Sequence, residues 1–82
     1  MRIVGIEERT GEFEGRQFRF FNLHCMRDDD RVIGRRVERV KVPGPVFDAW
    51  LEKCGCPCEE LLSVDVDFNY DQYKKVKEIV EL

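Results

Sequence analysis

Alternation of apolar and polar residues runs through most of the chain and predicts β-strands, because successive strand residues face opposite sides of a sheet. The alternation is clearest in "LLSVDVDF", where Leu62, Val64, Val66 and Phe68 share one face. The final segment also has a spacing compatible with a helix, but its hairpin-length connection to the preceding strand favours a strand. The predicted strands are Arg2–Glu8, Arg16–Arg27, Val32–Val42, Leu61–Phe68 and Tyr73–Leu82.

The period changes after "PGP", at Pro43–Pro45. Pro45 suits the first turn of a helix, where its missing N–H costs nothing. The i, i+3, i+4, i+7 spacing then predicts an amphipathic helix of about three turns from Val46. Gly55 is placed to end it. The apolar stripe is Phe47, Trp50, Leu51 and Cys54.

Turn residues separate the strands. "RTGEFEG" reads as a hairpin loop, "DDD" at Asp28–Asp30 ends the long second strand, and Gly34 predicts a bulge or bend in the third. The order of three strands, one helix and two strands predicts a mainly β fold, a five-stranded OB-fold-like barrel in a single domain over residues 1–82. An SH3-like barrel and a β-grasp domain are the alternatives.

Charge is unevenly distributed along the 82 residues, whose formal net charge is −3. Residues 16–41 carry most of the arginines, while residues 44–82 are rich in acids. Such asymmetry matters for partners more than the total does. With no apolar run long enough to cross a bilayer and early charge at the N-terminus, we expect a cytoplasmic protein with no membrane contact.

The phenylalanines of "RQFRFFNLHC" raise the main functional question. Phe18 and Phe20 share one strand face, and Phe21, Leu23 and Cys25 share the other. If the second set forms the core, the first is available to stack on nucleic-acid bases, since the second and third strands of an OB-fold usually form the binding platform. Packing in the core or in a dimer interface is the alternative use of these rings.

Basic residues beside those rings favour single-stranded DNA or RNA as the partner, with a homodimer as a further expectation. Arg19, Arg35, Arg39 and Lys41 are the predicted phosphate contacts, and Tyr70 is a further candidate for stacking. The alternative is a solvated charged face. A competing function is a small protein-interaction module or inhibitor that uses the acidic surface from Asp48 to Asp71.

The cysteines of "CGCPC" do not have the usual zinc pattern. Cys54, Cys56 and Cys58 supply enough sulfur for zinc, but structural sites normally use paired C-x-x-C knuckles, so we expect no metal and no cofactor. The chain also contains one histidine and no phosphate-binding glycine loop or catalytic triad. We therefore expect a protein that is not an enzyme.

Four segments together resemble a known group of proteins: "RIVGIEERTGEFEGRQF", "FFNLHC", "GRRVERVKV" and "VDVDFNYDQYKKVKEI". Their layout is similar to that of small single-stranded-DNA-binding proteins, of the filamentous-phage type, encoded by phages, plasmids and integrative elements of Gram-positive bacteria. "CGCPCEE" and the closing turn, which lacks a glycine, depart from that layout. The resemblance implies an OB-like fold and a DNA-binding role, without sequence preference, in the replication or transfer of a mobile element.

Overall fold

The computed structural model describes residues 1–55 and 57–82, with the side chain of Cys58 excepted. The chain is mainly β, with one short α-helix between the third and fourth strands, as the sequence predicts. A single turn of 3-10 helix, Cys58–Leu61, precedes the fourth strand. The elements are β1 (Arg2–Phe13), β2 (Arg16–Arg27), β3 (Arg36–Pro43), α1 (Gly44–Cys54), β4 (Val66–Tyr70) and β5 (Val76–Glu81).

The described strands form two open sheets, so the expectation of a closed five-stranded barrel is wrong. One sheet has the antiparallel order β1-β2-β3, and the other pairs β4 with β5. The sheets meet at the start of β1, where the Ile3 N–H donates to the Val64 carbonyl at 3.0 Å and a single bridge pairs Arg2 with Asp65. Residues 63–66 make two more backbone hydrogen bonds there, from the Ser63 N–H to the Ile3 carbonyl at 2.6 Å and from the Val66 N–H to the Met1 carbonyl at 2.7 Å. β3 packs against β5 without joining its sheet.

The first hairpin is longer than the sequence pattern predicts. β1 continues through "RTGEFEG" to Phe13, so this stretch is strand, and the loop is a two-residue turn. Glu14 and Gly15 both have positive φ, 52° and 75°, as the type I′ turn requires. Residues 9–20 of β1 and β2 continue past α1 as a two-stranded ribbon, most of which is exposed. We call this ribbon the hairpin arm.

The last three strands begin later than predicted, β5 at Val76 instead of Tyr73. β3 begins at Arg36, and Gly34 lies in the preceding loop with φ 98°. The irregularity that bends the sheet is in β1, between Ile3 and Gly5. Leu62 is 45% exposed, so the predicted four-residue apolar face of the fourth strand holds in full only for Val66 and Phe68.

The core lies between α1 and the inner faces of both sheets. The inward side of β2 supplies Phe21, Leu23 and Cys25, which confirms the predicted core parity. Phe21 stacks on Phe47 of α1 with ring centroids 3.9 Å apart. Burial of these large aromatic side chains is the main stabilising term.

The predicted end of α1 is confirmed, and the helix begins at Gly44, two residues before the predicted Val46. Pro45 occupies its first turn, and Gly55 ends it in the left-handed conformation, with φ 66° and its N–H donating to the Leu51 carbonyl. Gly55 satisfies one of the last carbonyls of α1 in this way. The prediction that the last segment is a strand is also confirmed. The Asp71 carboxylate accepts from the N–H groups of Tyr73 and Lys75 in the preceding turn.

Candidate nucleic-acid interface

The register of the three-stranded sheet decides which side chains share a surface. Residues paired across an antiparallel ladder point to the same face. Asn22 is paired with Lys41 and His24 with Arg39, while Phe20 is paired with Pro43. Phe18 and Phe20, which alternate with the buried Phe21, therefore lie on the outer face together with Lys41 and Arg39. The structure brings these four predicted site residues together.

The two rings of this face are close and accessible. Their centroids are 5.9 Å apart with an interplanar angle of 23°, and Phe18 is 43% exposed while Phe20 is half-buried. Phe18 reaches across to the neighbouring strand because Gly11 is opposite it: a Cβ at Gly11 would be 2.3 Å from the ring. The Lys41 ammonium lies over the Phe20 ring, 4.4 Å from its centroid, in a cation–π contact.

Two further residues of the same face, Arg9 and Phe13, were missed by the sequence analysis. Arg9 is paired with Phe20, and Phe13 with Arg16, at the end of the hairpin arm. Phe13 is 70% exposed. They were missed because residues 9–15 were placed in a loop, and a loop residue cannot be assigned to one face of a sheet. A two-residue turn at Glu14 and Gly15 would have predicted the longer strand. We call the whole set the aromatic face: Arg9, Phe13, Arg16, Phe18, Phe20, Arg39 and Lys41.

A carboxylate also lies on this side of the sheet. Glu7 is paired with Asn22, whose side-chain amide donates to Glu7 Oε1 at 3.1 Å. This hydrogen bond, and then the nearby charge of Arg9, holds the pKa of Glu7 below its usual range. Glu7 is therefore ionised at neutral pH, but among the described residues it is outnumbered by the cations of the aromatic face.

Arg19 lies on the opposite side of the sheet, which corrects its expected place beside the rings. Its guanidinium donates to Glu8 at 2.9 Å and to both oxygens of Asp48 in α1, at 2.6 and 3.1 Å. It also covers the buried Phe21 ring at 4.8 Å. The bidentate contact with Arg19 lowers the pKa of Asp48, and the two carboxylates raise the pKa of Arg19. Arg19 therefore attaches the helix to the first hairpin.

The other two predicted contacts lie at the margin or in the second sheet. Arg35 is in the loop before β3, with its guanidinium 3.9 Å from the Met26 sulfur and 3.9 Å from Asp28. Met26 is paired with Val37 at the far end of the outer face, so Arg35 borders that face. Tyr70 is half-exposed on β4, and the structure does not place it in the sheet of Phe18 and Phe20.

The cysteines form no site that the structure describes. Cys25 is buried in the core, and burial raises the pKa of its thiol. Cys54 Sγ lies 3.9 Å from a carboxylate oxygen of Glu81. The predicted candidates Cys56 and the side chain of Cys58 are outside the described part of the chain. Among the residues that are described, no three histidine, cysteine, aspartate or glutamate side chains are grouped to hold a metal ion.

Comparison with protein-family models, with curated proteins and with solved structures gives no match to this chain. Within the described residues, no helix combines the length and the apolar character needed to cross a membrane. The geometry of the aromatic face is therefore the basis for a functional assignment.

Proposed function

We propose that the aromatic face binds single-stranded nucleic acid, with DNA as the natural ligand and without sequence preference. The observation that carries the proposal is the adjacent pair of the exposed Phe18 ring and the half-buried Phe20 ring, with Lys41 and Arg39 on the same face. Every base has a π-face, so stacking is tolerant of sequence and contributes about 1–3 kcal/mol per base. The neighbouring cations then contact the phosphates.

Single strands suit this face better than a duplex does. Bases in a duplex are stacked on each other and present only their edges in the grooves. The rings of Phe18 and Phe20 therefore have no base surface there on which to stack. The aromatic face is basic on a molecule of net charge −3, which supports local phosphate binding over general attraction to nucleic acid.

We also propose that the fold is an OB-like arrangement that is incompletely closed. β1 meets the start of β4 at the Arg2–Asp65 bridge, and β3 packs beside β5, as they would in a barrel with shortened ladders. In such folds the second and third strands are the usual binding platform. We propose that the protein acts in the cytosol as an accessory to the replication or transfer of a mobile element.

Titration of fluorescein-labelled oligo(dT) followed by anisotropy tests the proposal. We expect Phe20→Ala and Phe18→Ala each to weaken binding by about 5-fold to 150-fold, as loss of one stacked base predicts. Lys41→Ala should weaken binding to oligo(dT) and oligo(dA) alike and should reduce the slope of log K against log salt by about 1.

Tyr73→Ala is the matched control, because Tyr73 is a 73% exposed aromatic residue in the turn of the other sheet. It should bind as the unaltered protein does. Absence of binding at low salt, or equal losses in all the aromatic variants, would contradict the proposal. Absence of binding would also favour the competing protein-interaction function.

A further inference from the structure

His24, the one histidine of the chain, lies on the outer side of the three-stranded sheet. Its neighbours in β2, Leu23 and Cys25, are buried in the core, so its ring points outward. The ring lies over Gly5 of β1, where a Cβ would be 3.4 Å from the ring atom Cδ2. The side chain is half-buried, and its partner in β3 is Arg39. His24 therefore borders the aromatic face.

The charged groups that face His24 come from both neighbouring strands. In β3 they are Arg39, directly paired with it, and Lys41, two residues along the same face. In β1 they are Glu7, on the side of the hairpin arm, and Arg2, which forms an ion pair at the start of the strand. Within the described part of the chain, neither Arg39 nor Lys41 is held in an ion pair. Cations therefore outnumber carboxylates around the ring.

The carboxylate of this group is already engaged, whereas the imidazole is not. Glu7 accepts from the Asn22 amide at 3.1 Å and lies 3.7 Å from the Arg9 guanidinium. Among the described residues, none is hydrogen-bonded to a ring nitrogen of His24, and neither nitrogen is buried without a partner. Both nitrogens are accessible to a ligand and to protons.

We propose that His24 is a further phosphate contact of the aromatic face, and that its protonation strengthens the binding of single-stranded nucleic acid below neutral pH. This inference rests on the proposed function of that face. Histidine is the side chain whose charge ordinarily changes between about pH 5 and pH 8. The protonated ring donates from both nitrogens and places one more positive charge beside Arg39. An added phosphate contact releases further counterions from the nucleic acid.

The coupling between pH and binding has a definite sign. Bound phosphates bring negative charge to a surface on which cations outnumber carboxylates, so they stabilise the charged ring relative to the neutral one. Because the two equilibria are linked, the gain in affinity for nucleic acid on protonation equals the gain in affinity for the proton on binding. The affinity for nucleic acid should therefore rise as the pH falls and level off once His24 is charged in the free protein.

Anisotropy titrations with labelled oligo(dT) test the inference at about pH 5.5 and about pH 7.5, on either side of the usual titration of histidine. Thymine does not titrate in this range. The unaltered protein should bind about 3-fold to 10-fold more tightly at the lower pH, the effect of one added phosphate contact. His24→Gln should lose this difference. His24→Arg is charged at both pH values and should bind tightly at both.

Nuclear magnetic resonance gives a readout that does not depend on a variant. The titration midpoint of the His24 ring protons should rise by about 0.5–1 pH unit when oligo(dT) saturates the protein, because a tenfold gain in affinity corresponds to one unit. An unchanged midpoint in the saturated protein would overturn the inference.

His24→Gln combined with Tyr73→His is the matched control, because it moves the histidine to an exposed turn of the other sheet. It should bind as His24→Gln does, and circular dichroism checks that each variant is folded at both pH values. Equal affinity of the unaltered protein at both pH values, or a pH dependence that persists in His24→Gln or returns in the control, would overturn the inference and leave the proposed function standing. Absence of binding at both pH values would contradict the proposed function, and this inference with it.

Discussion

At the scale of single residues, strand parity places Arg19 on the opposite side of the sheet from its sequence neighbours Phe18 and Phe20. Arg19 lies between Phe18 and Phe20 in the chain, yet its guanidinium is on the inner side with Glu8 and Asp48. Arg19→Ala should therefore lower the midpoint of thermal unfolding and leave the affinity for oligo(dT) unchanged. Lys41→Ala should weaken the binding of oligo(dT) and leave the midpoint of thermal unfolding unchanged. Thermal unfolding and anisotropy measured on both variants check this, and a loss of affinity without a loss of stability in Arg19→Ala would contradict it.

The same ion pair makes stability depend on pH in a defined window. Arg19 lowers the pKa of Asp48 below the ordinary value of 3.8, so the folded state binds the proton less readily than the unfolded state. This contribution is complete above that value and is lost as the pH falls through the lower, folded-state pKa. The difference in unfolding free energy between the unaltered protein and Asp48→Asn, measured with urea, should therefore be largest near pH 7 and shrink below about pH 4.

Glu52→Gln, on an exposed position of the same helix, is the control for Asp48→Asn. The difference in unfolding free energy between the unaltered protein and Glu52→Gln should not shrink in this way at acid pH. A gap for Asp48→Asn that stays constant from neutral to acid pH would show that the ion pair with Arg19 contributes nothing to stability.

At the scale of the elements, the hairpin arm depends on two residues in the left-handed region. Gly15 has φ 75° with open space around it, so a larger residue fits sterically but strains the backbone. Gly15→Val should destabilise the turn by about 1–2 kcal/mol. Glu14→Asn should stabilise the turn, because Asn-Gly is the preferred pair for a type I′ turn.

Hydrogen exchange checks the prediction for the turn. The amides of residues 10–19 should exchange faster in Gly15→Val and slower in Glu14→Asn, while those of Leu23 in the core stay unchanged. The neighbouring change Glu12→Gln leaves the turn geometry intact and is the control. Equal exchange in all three variants would mean that the turn does not control the order of the hairpin arm.

The elements themselves were largely predictable, and their ends were not. Alternation identified β2, the hairpin-length connection identified β5, and proline and glycine identified the region of α1, because these signals are local. In "RTGEFEG" only Glu14 and Gly15 form the turn, and residues 9–13 continue β1 and pair with β2. The reverse happened at residues 62–65, where alternation predicted a strand but β4 begins only at Val66.

At the scale of the whole molecule, the sequence predicted which residues form the core and which rings face outward, but not how far the sheets close. Phe18, Phe20, Arg39 and Lys41 were grouped correctly because one register brings them together. Arg19 was not, because its role is decided by carboxylates on β1 and α1. Closure depends on where β4 begins and on the spacing of β3 and β5, which no local pattern specifies.

The shared core predicts that the two sheets unfold together despite their limited pairing. Phe47 is fully buried, stacks on Phe21 of the larger sheet and contacts Trp50, which packs beside Ile79 of the smaller one. Phe47→Ala should therefore lower the free energy of unfolding by about 3–5 kcal/mol, a large part of the 5–15 kcal/mol typical of a domain.

Fluorescence of the single tryptophan reports on the helix and the smaller sheet, and far-ultraviolet dichroism reports on all strands. Both should give the same urea midpoint in the unaltered protein and the same lowered midpoint in Phe47→Ala, with Leu82→Ala unchanged. Separate midpoints would show that the sheets are independent folding units.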